Sequence, residues 1–346
     1  MPKKKTNFKT TIIYILSILI LLTMLVSFIL IGMDILYNKI FDIDTSVYNF
    51  AASIRSRPLT LLFKIITNLC NPFVIGGISL ALLFTLRNKK QYTFALFLNL
   101  GLTALLNLSL KYIFARERPD MTQSLIYESG YSFPSGHAMF SVSFYGYLIF
   151  LLKKLDIKKS IRIPVSIAMM FLVACVCFSR IYLGVHYFSD IIGGVLISTV
   201  YLVIFTYLIN RHNFVYNDPA TDFKKHTFLG GFKYALQGIA SSVKDENNLL
   251  VQFSSSMMVI MFAVFLRCTF VEWAILISMC FLVVSFEMMN TAIENICDRI
   301  TLEHDEKIKK IKDIAAGAVL TLAICSVIVA GIIFIPKIPT LFHFAF

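Results

Sequence analysis

The sequence predicts an all-α polytopic membrane protein: six spanning helices, a polar linker, an amphipathic surface helix and a final bundle of three spans. Three observations carry this prediction. Of 346 residues, 58% are hydrophobic and only 15% charged, with a mean hydropathy of +0.77. Apolar runs recur that reach or approach the ~20 residues needed to cross a bilayer. The Lys and Arg residues gather in short segments between those runs, where the positive-inside rule places them. The same placement accounts for the net charge of +12 and the pI near 9.3, and argues against nucleic acid as a partner. Seven cysteines, at 70, 175, 177, 268, 280, 297 and 325, lie in or beside apolar segments. An odd count in such positions speaks for packing and against a disulfide framework.

The N-terminus, MPKKKTNFKT, leads into an apolar run at 11–31 that is too long for a signal-peptide core and has no small-x-small cleavage site after it. It reads as an uncleaved first span with its lysines in the cytoplasm. Apolar segments fall at roughly 11–33, 66–86, 92–114, 136–152, 163–178 and 189–210. The polar stretch RHNFVYNDPATDFKKH at 211–226 has no apolar period and contains Asn-Asp-Pro, so it reads as a linker. GFKYALQGIASSVK then puts Phe232, Ala235, Leu236, Ile239 and Val243 on one helix face, the pattern of a helix lying on the membrane. Three spans follow at about 247–267, 270–297 and 314–335. Basic loops after the second, fourth, sixth and eighth spans place the N-terminus inside and the C-terminus outside, although Lys39, Arg55 and Arg57 fall in an outer loop.

The outer ends of the first six spans hold an unusual polar set. KYIFARERP supplies Lys111 and Arg118, FPSGHAMF supplies Ser135, Gly136 and His137, and SRIYLGVHYFSD supplies Arg180, His186 and Asp190. Singly, these are snorkelling cations, a helix cap and structural histidines. Together they are what phosphoryl transfer needs without a metal. His186 is placed to attack phosphorus, with Asp190 four residues on to fix its tautomer on a shared helical face. His137 can protonate the leaving alkoxide and then activate water. Lys111, Arg118, Arg180 and the backbone N–H groups of Ser135 and Gly136 can bind the phosphate oxygens.

The last bundle carries a second set. In SFEMMNTAIENICDRI, Glu287, Asn290, Glu294 and Asp298 stand at i, i+3, i+7 and i+11, one stripe of a helix otherwise made for lipid. Carboxylates at that depth are expensive and point to function. They face the cytoplasm, where their hard oxygens suit Mg²⁺. Lys312 in the next loop can meet phosphate charge, and Glu246 in KDENN opens the seventh span from the same side.

K-x6-R-P, P-S-G-H and S-R-x5-H-x3-D, over residues 1–212, resemble the signature of the type 2 phosphatidic acid phosphatase superfamily. The resemblance implies a six-helix phosphatase core, a phosphohistidine on His186, no metal cofactor, and lipid phosphates or pyrophosphates as substrates. The superfamily also contains vanadium haloperoxidases, but those are soluble. After a linker at 213–228, residues 229–346 hold EMMNTAIENICD and KDIAAGAV, which resemble the prokaryotic diacylglycerol kinases and undecaprenol kinases. That resemblance implies ATP-dependent phosphorylation of a lipid alcohol and a homotrimer with shared sites. It makes Glu287 the general base, Glu246 and Glu294 the Mg²⁺ ligands with Asn290 in support, and Lys312 and Asp313 nucleotide contacts. Leu250 departs from the basic or polar residue common there.

The combination implies a bifunctional enzyme of a bacterial plasma membrane, which removes phosphate outside and adds it inside to supply undecaprenyl phosphate. Alternatives are phosphatidic acid and diacylglycerol turnover, or a phosphatase anchored by a silent kinase-like module. A transporter would be expected to show inverted repeats or paired broken helices, and the sequence has neither.

Overall fold

A computed structural model describes residues 8–37, 40–86, 90–211 and 247–339, except 302 and 304, together with 238, 239 and 242. The linker at 213–228, nearly all of the expected surface helix, and Glu246 lie outside the described residues. The described chain is helical, in this order: α1 (Phe8–Leu36), α2 (Asp42–Ser53), α3 (Arg57–Asn68), α4 (Pro72–Thr85), α5 (Lys90–Phe114), α6 (Gly136–Lys154), α7 (Lys159–Tyr182), α8 (Phe188–Arg211), α9 (Asn247–Phe265), α10 (Phe270–Ile300) and α11 (Glu306–Phe334).

Among the described residues seven of these helices are long and apolar enough to cross a membrane, and α3 and α4, bent by 45° at the break between them, reach that length and apolarity only as a pair. The protein is a multi-pass membrane protein. The segment expected as one span at 66–86 is not a single helix. It breaks at Asn71-Pro72, where proline cannot continue the preceding helix and the Asn71 side chain accepts from the Phe73 N–H at 3.0 Å. The segment after α1 also folds into a helix, α2, whose acidic first turn carries the buried Asp44. α6 is not among those seven and carries Ser141, Ser143, Tyr145 and Tyr147, all buried inside the protein. No cysteine is disulfide-bonded.

The chain divides into two compact units, Met1–Gly77 with Leu102–Leu208, and Ile78–Gly101 with Ile209–Phe346. In the first, Phe28, Phe114 and Phe133 pack ring on ring, with centroids 4.9–5.9 Å apart. This cluster fixes the segment that leads into α6. A glycine pair makes the approach possible. A Cβ on Gly193 would lie 2.3 Å from the Phe133 ring, and one on Gly194 would lie 3.0 Å from the Ser135 carbonyl. In the second unit, Ala263, Leu276 and Ile333 join α9, α10 and α11. Thr269 and Glu272 form a capping box that starts α10. The lipid-compatible faces remain open: Phe270, Phe281, Val327 and Ile332 are each at least 65% exposed.

Candidate functional site

His186 lies in the turn before α8, not on the helix, so the shared helical face expected of His186 and Asp190 is not how they meet. Gly184, at φ +81°, turns the chain out of α7, a conformation that glycine adopts without strain. Arg55 clamps this turn, donating to the Tyr182 carbonyl at 3.1 Å and the Gln123 carbonyl at 2.8 Å. That is the task of one of the basic residues that the charge count left on the expected outer side. Asp190 in the first turn of α8 accepts the Tyr187 N–H at 2.9 Å and faces His186 Nδ1 at 3.2 Å. The carboxylate therefore caps the helix and holds the imidazole with a single group.

With Nδ1–H directed at Asp190, the other ring nitrogen carries the lone pair. His186 Nε2 lies 3.3 Å from Arg118 Nη1. Burial lowers the His186 pKa to about 3, the Arg118 charge adds to this, and the hydrogen bond to Asp190 opposes it. The ring is neutral at physiological pH, the state a nitrogen nucleophile requires.

Arg118 also donates to the carbonyls of Gly130 (2.9 Å), Tyr131 (3.3 Å) and Val185 (2.8 Å). Lys111 donates to the same Tyr131 carbonyl. Arg180 is 2% exposed, bonds Thr67 at 2.8 Å and pairs with Glu128. His137, in the first turn of α6, stands close enough to Glu128, Arg180 and His186 to feel their charges. Arg118, Arg180, His137, His186 and Asp190 thus come together, with Lys111 held through the loop beside them. Ser135 differs from expectation. Its N–H donates to the Asp190 carbonyl at 3.1 Å and its side chain caps α6, so that amide is spent on structure instead of on phosphate. Gly136 sits where a Cβ would come within 3.2 Å of Asn107.

The sequence reading missed three residues. Arg116 donates to Asp190 at 2.6 Å, to Ser189 at 2.7 Å and to Asp44 at 2.9 Å. Asp44 is fully buried and also accepts the Ser189 N–H and hydroxyl, both at 2.7 Å. Glu128 is the third, and its carboxylate lies between Arg180 and Arg118. Arg116 is visible inside KYIFARERP, but nothing local marks its partner 72 residues away.

In the second unit the stripe on α10 runs from buried to exposed. Glu287 and Asn290 are 4% and 6% exposed, Glu294 is half-buried, and Asp298 is open to solvent. Asn290 Nδ2 donates to Glu294 at 2.9 Å. Its Oδ1 is buried with no hydrogen-bond partner among the described residues. Lys312 pairs with Asp298 across α10 and α11, and Asp313 beside it is exposed. Among the described residues no three His, Cys, Asp or Glu side chains converge as a metal cage. Mg²⁺ needs none, since one or two carboxylates and substrate phosphates hold it, and an orphaned amide oxygen beside Glu294 fits a hard cation.

Fold and sites together define a membrane enzyme that carries a lipid phosphatase domain and a lipid kinase domain. Residues 92–214 match the PAP2 superfamily, and residues 233–334 match the prokaryotic diacylglycerol kinase family. The chain is 33% identical over 111 residues to the undecaprenol kinase of Bacillus subtilis, covering 90% of that protein and 32% of this one. It is 40% identical over 95 residues to phosphatidylglycerophosphatase B of Bacillus subtilis, which is 27% of this chain but only 46% of that relative. The crystal structure of a transmembrane PAP2-type phosphatidylglycerolphosphate phosphatase from Bacillus subtilis aligns with a TM-score of 0.50 at 26% identity, covering 59% of this chain and 98% of that one. The chain belongs to the prokaryotic diacylglycerol kinase family through its C-terminal part, and joins to it an N-terminal PAP2 superfamily domain.

Proposed function

We propose that the protein supplies undecaprenyl phosphate from both sides of a bacterial plasma membrane, with its N-terminus inside and its C-terminus outside. A phosphatase domain at 1–212 removes one phosphate from undecaprenyl pyrophosphate at the outer face. A kinase domain at 229–346, working as a homotrimer, phosphorylates undecaprenol at the cytoplasmic face. The observation that carries this reading is the neutral His186, with Nδ1 on Asp190 and Nε2 facing Arg118, in one chain with a relative of an undecaprenol kinase.

In the phosphatase, His186 Nε2 attacks phosphorus and a P–N bond forms as the bond to the leaving oxygen breaks. His137 gives that oxygen its proton. Water then attacks the phosphohistidine, loses its proton to His137, and orthophosphate leaves as the P–N bond breaks. Arg118, Arg180 and Lys111 balance charge on the equatorial oxygens throughout. In the kinase, Glu287 takes the proton of the lipid hydroxyl as its oxygen attacks the γ-phosphorus of ATP, and ADP leaves. Mg²⁺ neutralises phosphate charge when bound. Glu294 and Glu246 would hold it with Asn290 in support, while Lys312 and Asp313 meet the nucleotide.

The test is transfer of labelled γ-phosphate from ATP to undecaprenol and to diacylglycerol, by purified protein in mixed micelles. Incorporation into undecaprenol at the higher kcat/KM is expected. Label on diacylglycerol alone would move the kinase to phospholipid turnover, the reading that the diacylglycerol kinase family name favours.

Asp44 and Arg116 enter this reading as positioning residues, because they hold the carboxylate that holds the nucleophile. Asp44→Asn keeps the shape and removes the charge. It is expected to lower phosphatase kcat roughly tenfold with KM within about twofold, as loss of a partner one shell out does elsewhere. An equal fall in folded protein and activity with kcat per folded molecule unchanged would leave Asp44 a purely structural residue.

A further inference from the structure

Glu128 lies in the loop between the 3₁₀ turn at Met121–Gln123 and α6, and its side chain reaches into the cluster of cations just described. One carboxylate oxygen, Oε2, pairs with Arg180 and stands 3.4 Å from Arg118 Nη1. The same Arg118 nitrogen is 3.3 Å from His186 Nε2, so the oxygen and the nucleophilic nitrogen share one donor. His137 and His186 both feel the Glu128 charge. Burial pushes the Glu128 carboxyl up, but Arg180 and Arg118 outweigh it and hold the group well below the usual carboxylate range, so it stays anionic.

We infer that Glu128 is the resting ligand of the phosphate cradle, an internal anion that substrate phosphate must displace and that sets how tightly the site holds any oxyanion. The inference rests on the phosphatase reading for the identity of the ligand, and on the geometry alone for the competition. A carboxylate is an incomplete occupant. Arg180 Nε is buried with no acceptor among the described residues, although the side chain is 2% exposed. A phosphate brings more oxygens than a carboxylate and can satisfy that donor, which is why displacement is favourable. Glu128 sits on a loop with 22% of its side chain exposed, so it has a way out. Its return would expel orthophosphate, the product that the two guanidinium groups would otherwise retain.

The apparent affinity of a ligand falls with the fraction of protein in the competent state. Glu128→Gln removes the competing charge and keeps the shape. In the full chain in nanodiscs, isothermal titration with orthophosphate is expected to show about tenfold tighter binding to Glu128→Gln than to wild type. Glu128→Asp, which keeps the charge on a shorter arm, is expected to fall between them and serves as the probe if the Gln variant does not fold. Unchanged or weaker binding in the folded variants, or no orthophosphate binding to either protein, overturns the inference. Hydrolysis of dioctanoyl phosphatidic acid, assayed on the same samples, separates the two readings. Tighter binding without hydrolysis in wild type sinks the phosphatase reading and keeps the competition. Hydrolysis without tighter binding does the reverse.

Discussion

His186→Ala is expected to cut phosphate release from lipid phosphates at least about 10⁴-fold, since it removes the nitrogen on which the covalent intermediate forms. ATP-dependent phosphorylation of a lipid alcohol should continue at the wild-type rate, because the two activities draw on different residues. The substitution leaves a small cavity and takes one partner from Asp190. However, Asp190 keeps Arg116 at 2.6 Å and the Tyr187 N–H at 2.9 Å, so the turn has support without the imidazole. A pH series gives an independent check on the nucleophile. A histidine of ordinary pKa, about 6.5, would be only about 3% neutral at pH 5. Burial and Arg118 lower the His186 value to about 3, so the free ring stays neutral there. With p-nitrophenyl phosphate, whose leaving group needs no proton, kcat/KM is expected to hold between pH 7 and pH 5. A fall of about 25-fold across that range would mean that His186 titrates as an exposed imidazole does, and that the buried pair with Asp190 does not form in the working enzyme.

What was legible in the sequence was whatever acts through short separations. His186 and Asp190 are four apart, and Lys111 and Arg118 seven apart. The first pair meets through a turn and the second converges on the Tyr131 carbonyl, so the pattern survived even where the expected helical face did not exist. The spans were visible because a bilayer demands an apolar run of fixed length. The bend at Asn71-Pro72 was not placed, because an apolar run reads alike whether or not a proline divides it. Asp44, Arg116 and Glu128 were illegible for a different reason. Asp44 meets Ser189 across 145 residues, and Glu128 meets Arg180 across 52. A single carboxylate in a polar loop carries no local mark of the cation it will find. What would have raised suspicion is charge balance: three motif cations and Arg116 converging on one buried site require anions, and Asp190 alone is too few.

Glu287→Gln is expected to lower ATP-dependent lipid phosphorylation by about 10²–10⁴-fold, the usual worth of a positioned general base, with phosphatase activity unchanged. The size follows from where the group sits. Glu287 is 4% exposed and 13 residues before the end of α10 at Ile300, three to four turns inside the helix. A carboxylate at such a depth is costly, and the amide of the same shape removes the charge without opening a cavity. A purely structural carboxylate would therefore make the Gln variant as stable or more so, with activity intact. A base would give a variant equally stable and nearly inactive. Melting temperature and γ-phosphate transfer, measured on the same preparation, separate these outcomes. The neighbouring groups sharpen the comparison. Asn290 is tied to Glu294 at 2.9 Å and leaves its buried Oδ1 without a partner, so Asn290→Ala should weaken the Mg²⁺ dependence more than the maximal rate. Lys312 is held by Asp298 at the exposed end of the stripe, so Lys312→Ala should raise the KM for ATP before it touches kcat. A helix whose polar stripe separates in this way into proton, metal and nucleotide effects is a catalytic surface. One whose substitutions all change stability together is a packing seam.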